Sequence, residues 1–190
     1  MIKIFKLLII GCLSLIVIGC SAEENQYSNN GNYAGLLDFR EVLEIFGEGV
    51  EAYIYDIETG VIFQVRRVIG GFNTHADVET LTLEDTEKLL EVAGGYWNVR
   101  RRAVIVTIGE HSFAGSIAPF EHSGSEDHPF GEIIDNRSGS SGTGINLDSI
   151  RDNGMVGVVD IFFWNSLIPG INRVCERHQE MVLRAHEHEG

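Results

Sequence analysis

Apolar residues recur along this chain with two different periods, and the periods divide it into elements. In "LLDFREVLEIF" Leu36, Phe39, Val42, Leu43 and Phe46 fall at the spacing of one helix face. "VEAYIYDIETGVIFQVRRV" has two β-rich runs around Glu58-Thr59-Gly60 and predicts a hairpin. "TLEDTEKLLEVA" opens on Thr82 with Asp85 three residues on, a capping-box pattern for a short helix. "RRAVIVTI" and "SFAGSIA" predict two strands joined at Gly109-Glu110-His111. "FEHSGSEDHPFGEIIDNRSGSSGTGIN" has no period and predicts a long polar loop. "GVVDIFFW" is apolar on both parities, as a central strand is. "RVCERHQEMVLRAHEH" predicts a terminal helix. The irregular alternation predicts an α+β fold, a single domain with a mixed or antiparallel sheet and helices packed on one side.

The N-terminus adds a separate segment. "MIKIFKLLIIGCLSLIVIGCSAEEN" begins with Lys3 and Lys6, runs apolar to Ile18 and then reads Gly19-Cys20-Ser21. Val17-Ile18-Gly19-Cys20 resembles a bacterial lipobox. That resemblance implies a signal peptide over 1–19 and a Cys20 carrying lipid, such as palmitate, at its thiol and amine. The expected location is then the extracytoplasmic side of a membrane. Residues 20–33 are polar and aperiodic and predict a tether with a span of about 20 Å. The globular domain is expected over 34–190.

Charge narrows the partners. The chain has 14 Lys+Arg and 28 Asp+Glu, a formal charge of −14. Loss of Lys3 and Lys6 leaves 12 basic against 28 acidic side chains, hence −16. Such a surface is not expected to bind the phosphate backbone of nucleic acid, nor anionic lipid or wall polymers by electrostatics. Membrane attachment therefore falls to the lipid, at about 0.8 kcal/mol per buried CH₂. Cys12 and Cys20 belong to the leader and the anchor, so Cys175 stands alone and no internal disulfide can form. It is expected as a small buried residue on a helix.

Several residue types could carry chemistry. His75 and Asp77 stand two apart, so on an extended strand both side chains point one way. They can close a turn as ordinary polar residues, or supply two ligands to an ion, zinc being the candidate. His122 and His128 fall in the predicted loop, where a group can reach a site on the sheet. His186 and His188 look like a solvated tail. "SGSSGTG" runs into Ile145 and not Lys-Ser, so it is no phosphate loop. Ser116 in "AGSIA" lacks the G-x-S-x-G elbow. Arg100-Arg101-Arg102 is expected to pair internally or to hold an anionic ligand.

Taken in order, several motifs resemble a family of secreted domains from Gram-positive bacteria, often joined to peptidoglycan-binding modules. The family is known by its pattern rather than by an activity. Its "D-x-x-T-G-x-x-F-x-V-x-R" hairpin is matched from Asp56 to Arg67, its "G-G-x-x-H-A-D-V-E" from Gly70 to Glu79, and its "W-x-x-R-R-R-x-V" from Trp97 to Val104. A serine strand and a "P-H-G" loop are matched loosely at Ser116 and at Glu121-His122-Ser123, and "N-R-S-G" and "G-I-N-L-D-x-I-x-x-N-G-M" at 136–139 and 144–155. The late "G-H-x-[CD]-I-H-F-x-x-S-x-x-H" keeps Asp160 and Ser166, and His178-Gln179 matches the closing "H-Q". The family's late histidines fall on Val158, Phe162 and Pro169, none of which coordinates metal or transfers protons.

This pattern sets three expectations. The first is a non-catalytic, lipid-anchored envelope module that binds wall glycopeptide or an envelope protein, with Arg101, Arg102, Ser116 and His178 as candidate binding residues. The second is a metal-dependent peptidoglycan hydrolase using His75, Asp77, His122 and Asp160, with His75, Asp77 and Asp160 as metal ligands. The third is a structural or immunity-type lipoprotein. Asp160 lies inside an apolar strand and needs a partner, which His75 or an arginine can provide. His75 and Asp77 are expected to bond in a polar cluster near it.

Overall fold

A computed structural model describes residues 34–68, 73–140 and 142–188. The leader, Cys20, the tether and Gly70-Gly71 of the "G-G-x-x-H-A-D-V-E" match lie outside the described residues. No helix among the described residues is long and apolar enough to cross a membrane.

The elements follow in the order α1 (Phe39–Ile45), β1 (Glu51–Asp56), β2 (Ile62–Arg67), β3 (Ala76–Thr80), α2 (Leu83–Ala93), β4 (Arg102–Ile108) and β5 (His111–Ser123). Then come β6 (Ile133–Ile134), β7 (Gly144–Ile145), β8 (Gly157–Phe162), β9 (Leu167–Ile168), β10 (Arg173–Val174) and α3 (Glu176–His186). The α+β mixture and the antiparallel pairing match the sequence. The sheet is closed, which the alternation alone did not indicate. Six strands close into a barrel in the order β1-β2-β3-β8-β5-β4, with β1 pairing β4 to seal it. Closure leaves the six strands no free edge to protect.

Alternation sorts the side chains. Val104 and Val106 of β4, Phe113 and Ile117 of β5, and Val159 and Ile161 of β8 join one buried cluster inside the barrel. Phe39, Val42 and Phe46 around α1 and Leu89 and Val92 of α2 belong to the same cluster. Val182 and Ala185 of α3 instead pack with Ala103, Ile105 and Ala114, the opposite parity of β4 and β5. The helices therefore do not share one side. Two feed the interior and one covers the outer wall.

Local chemistry fixes the helix starts. Asp38 and Glu41 form a reciprocal capping box on α1. Thr82 caps α2 by accepting the Asp85 amide, and its hydroxyl donates to the Asp85 carboxylate at 2.6 Å in place of the amide bond of a capping box. The Asp85 carboxylate accepts the Gln64 amide of β2 at 2.8 Å, so the residue anchors the helix to the barrel. The terminal helix begins later than its apolar pattern suggested, because Arg173–Val174 pairs with Leu167–Ile168. Cys175 is the half-buried N-cap residue of α3 and gives no side-chain cap bond.

β5 runs well past the expected "SFAGSIA" and changes register against β8 between Ala118 and His122. His122 therefore ends a strand and does not lie in the loop. The crossing at this point is tight. A Cβ on Gly157, whose φ is +113°, would stand 2.2 Å from the His122 carbonyl oxygen. Only glycine permits both that backbone conformation and that approach.

Candidate functional site

Two features share the outer face of the β3–β8–β5 wall. The first is a cluster of histidines and aspartates. His75 and Asp77 point outward because Ala76 and Val78, between and beside them, point into the core. Asp77 lies directly opposite Asp160 in the β3–β8 register, and Ala118 of β5 lies opposite Asp160 on its other side. His75 Nε2 stands 3.2 Å from Asp77 Oδ1 and 3.6 Å from Asp160 Oδ1. His122 Nε2 meets the same Asp160 oxygen at 3.0 Å. The register change in β5 is what turns His122 onto it. All four residues expected to carry a hydrolase site thus occupy one patch. His75 and Asp77 are 1% exposed, whereas Asp160 and His122 are about a fifth exposed and form its outer rim.

The electrostatics follow from the opposed carboxylates. Like charges directly across a strand pair repel, which favours a positive group beside them. Burial works against an imidazolium at His122, but the Asp160 carboxylate outweighs it and holds the His122 pKa above its ordinary value. Burial likewise works against the Asp160 carboxylate, and its bond to His122 brings its pKa below the usual range. The hydroxyl of Thr74 meets His75 Nδ1 at 3.2 Å, and that of Ser123 meets His122 Nδ1 at 2.9 Å.

The second feature is a groove of about 220 Å³ beside this cluster. Ala118, Asp160 and Phe162 line it from the wall, His178 from α3, and Arg101 from the segment before β4. Phe162 lies between two histidine rings, 4.9 Å from His75 and 3.9 Å from His178 between centroids. It fills the place where the resemblance puts a histidine. Through Arg101 and Val99 the groove continues into a broader depression of about 690 Å³, edged by Tyr96, Arg100 and Arg177.

The three consecutive arginines divide their duties. Arg102 shares the inward parity of Val104 and pairs with Asp56 and Glu58. Arg100 is exposed and 3.9 Å from Glu58. Arg101 faces both cavities. One of its terminal nitrogens donates to the Val99 carbonyl at 2.9 Å, while its Nε–H is buried and has no partner among the described residues. That nitrogen is the most informative atom of the site, because buried donors are normally satisfied.

Ser116 is fully buried, and its hydroxyl meets His178 Nδ1 at 2.8 Å. Burial and the nearby Arg101 charge push the His178 pKa down to about 3, so its ring is neutral at ordinary pH. The pair is a packed hydrogen bond between wall and helix, and its hydroxyl offers no surface for attack. His128 lies away from the site and pairs with Glu132 at 3.1 Å. His186, expected in a free tail, bonds the Ala34 carbonyl at 2.7 Å. Tyr96, Phe120 and Arg177 were not foreseen from the sequence. Arg177 had one signal, as a scarce cation in an acidic chain beside the His178-Gln179 motif.

No family model, curated protein or solved structure matches this chain. Its site is therefore read from its own geometry.

Proposed function

We propose that this chain is a lipid-anchored extracytoplasmic envelope protein that binds wall glycopeptide in the Arg101 cleft and performs no chemistry on it. The observation that supports this reading is the Arg101 side chain, which lines both cavities where they meet and carries a buried Nε–H with no partner among the described residues. A guanidinium fork with a free donor matches a carboxylate, and peptide stems of wall polymer carry carboxylates. Arg100 and Arg177 add positive charge along the broader depression, against a strongly acidic background. Tyr96, 67% exposed at its edge, offers an aromatic face of the kind that packs on the apolar side of a sugar.

The residues nearest the groove also favour binding over catalysis. The Ser116 hydroxyl is fully buried, and the neutral His178 is a weak base. The test is co-sedimentation of the detergent-solubilised full-length chain with isolated wall sacculi. Saturable binding is expected. Arg101→Met should weaken it roughly 10–100-fold, the range for losing a charge-assisted pair, whereas Arg40→Met on α1 should not change it. Sacculi whose carboxyls have been amidated should bind no better to the normal chain than to the Arg101 variant. Release of soluble muropeptides by the chain alone would overturn the non-catalytic reading.

A further inference from the structure

The His–Asp cluster is stranger than the groove beside it. Two aspartates face one another in register on a buried wall, and two imidazole nitrogens turn toward them. A surface ion pair would spread such charges into water. Here the fold concentrates them, with His75 and Asp77 sealed from solvent.

We propose that His75, Asp77 and Asp160 hold a single divalent cation of the zinc class, with His122 bonded to Asp160 at the rim. The spacing is the first argument. Around a tetrahedral ion with bonds of about 2.0–2.1 Å, neighbouring ligand atoms stand about 3.3–3.4 Å apart. The contacts of 3.2 and 3.6 Å from His75 Nε2 fall around that edge length. One ligand atom from each of His75, Asp77 and Asp160 lies within 4.8 Å of the others.

The donor set is the second argument. An imidazole and two carboxylates suit zinc, and the ion neutralises both opposed carboxylates at once. His75 presents Nε2 to the cluster and keeps Nδ1 on the hydroxyl of Thr74. A bond at the second ring nitrogen is how a metal-bound histidine is held in orientation. Backbone placement is the third argument. The register change in β5 turns His122 onto Asp160, and glycine at 157 permits the close crossing beside it.

The ion would join the start of β3 to β8, and His122 ties the end of β5 to it through Asp160. Entry is through the Asp160 and His122 edge, the partly exposed side of the cluster. This site does not depend on the glycopeptide reading, since Asp160 is the one residue it shares with the groove lining.

The detergent-solubilised full-length chain, stripped with chelator and dialysed against micromolar zinc, should retain one equivalent. Cobalt(II) in place of zinc should give the intense visible bands of a tetrahedral ion. Zinc should raise the melting midpoint by several degrees. Asp160→Asn, at the exposed edge, should fold and drop retained zinc below a tenth of an equivalent, and His122→Ala should weaken zinc binding about 10–100-fold. The double variant His186→Ala/His188→Ala should keep its equivalent, which separates this site from tail histidines. A folded chain that retains no zinc overturns the proposal. So does zinc retained in full by the Asp160 variant, or lost only with the tail histidines. Binding to sacculi by zinc-free protein is scored separately, so failure here leaves the groove reading intact.

Discussion

Asp56→Ala is expected to lower folding stability by about 3–5 kcal/mol, the cost of orphaning a buried charge. Asp56 is fully buried at the end of β1. Its two oxygens take Nη2 and Nε of Arg102 at 2.6 and 3.0 Å, a paired fork from the neighbouring strand β4. One oxygen also accepts the Thr59 amide and hydroxyl, which shapes the β1–β2 turn. Arg102 goes on to Glu58 at 2.6 Å, and Glu58 meets Arg184 of α3 at 3.0 Å. One carboxylate thus sits at the seam where the barrel closes and α3 docks. Removal leaves a guanidinium that is only 5% exposed with Glu58 as its remaining carboxylate and its Nε and Nη2 donors unpaired. Arg102→Lys should also destabilise, since an ammonium cannot span both oxygens. The double variant Asp56→Leu/Arg102→Met should recover much of the loss, because neither charge is then left alone. Chemical denaturation of the three variants measures this. An unchanged midpoint in Asp56→Ala would contradict it.

The second large effect is expected at Glu79 on β3. This carboxylate is fully buried and receives four donors from the long segment before β8. They are the Ser149 amide and hydroxyl at 3.0 and 2.6 Å, the Ile150 amide at 2.9 Å, and the Asn153 amide group at 3.3 Å. Glu79 is therefore the latch that lays this segment on the barrel. Glu79→Ala leaves several buried donors without acceptors and should cost about 3 kcal/mol, at about 1–3 kcal/mol for each group that finds no substitute. Hydrogen exchange at Ser149 and Ile150 should accelerate before exchange in β4 or β5. Equal protection in both chains would refute the latch.

Glu79 also gives a pH dependence of definite sign. Burial outweighs its four donors and raises its pKa from 4.5 to about 7. The folded state therefore holds the proton where the unfolded chain has released it. Stability from this group is fully present below about pH 4.5 and declines as pH rises toward 7, by about 3 kcal/mol in all. Glu79→Gln does not titrate there, so the stability difference between the two chains should shrink or reverse across that window. A difference that is flat with pH would count against it.

Much of this fold was legible in the sequence, and the unread parts have physical reasons. The β1–β2 hairpin, α2 and the central place of β8 follow from local period and turn chemistry. Closure does not. An open and a closed antiparallel sheet share the same alternation, and β1 pairs with residues some fifty positions later in β4. His122 looked like a loop residue because "FEHSGS" is polar, yet its strand continues through a register change that carries no apolar signal. The cluster at His75, Asp77 and Asp160 could be assembled by parity along two strands. The groove could not, because its walls come from five separate stretches of the chain. Arg101 and Arg102 are an intermediate case. Neighbours on a strand face opposite ways, so the parity of Val104 and Val106 already placed Arg102 inward and Arg101 outward.

The central claim is that Arg101 receives a carboxylate of the wall glycopeptide. Heteronuclear NMR of the labelled full-length chain in detergent micelles, titrated with a purified muropeptide, tests it most directly through the Nε–H signal of Arg101. The account predicts a saturable downfield shift of that proton, with concurrent changes at His178 and Phe162 and none at Arg40. A titration that leaves the Arg101 Nε–H signal unmoved, or that shifts only residues outside the cleft, would contradict it.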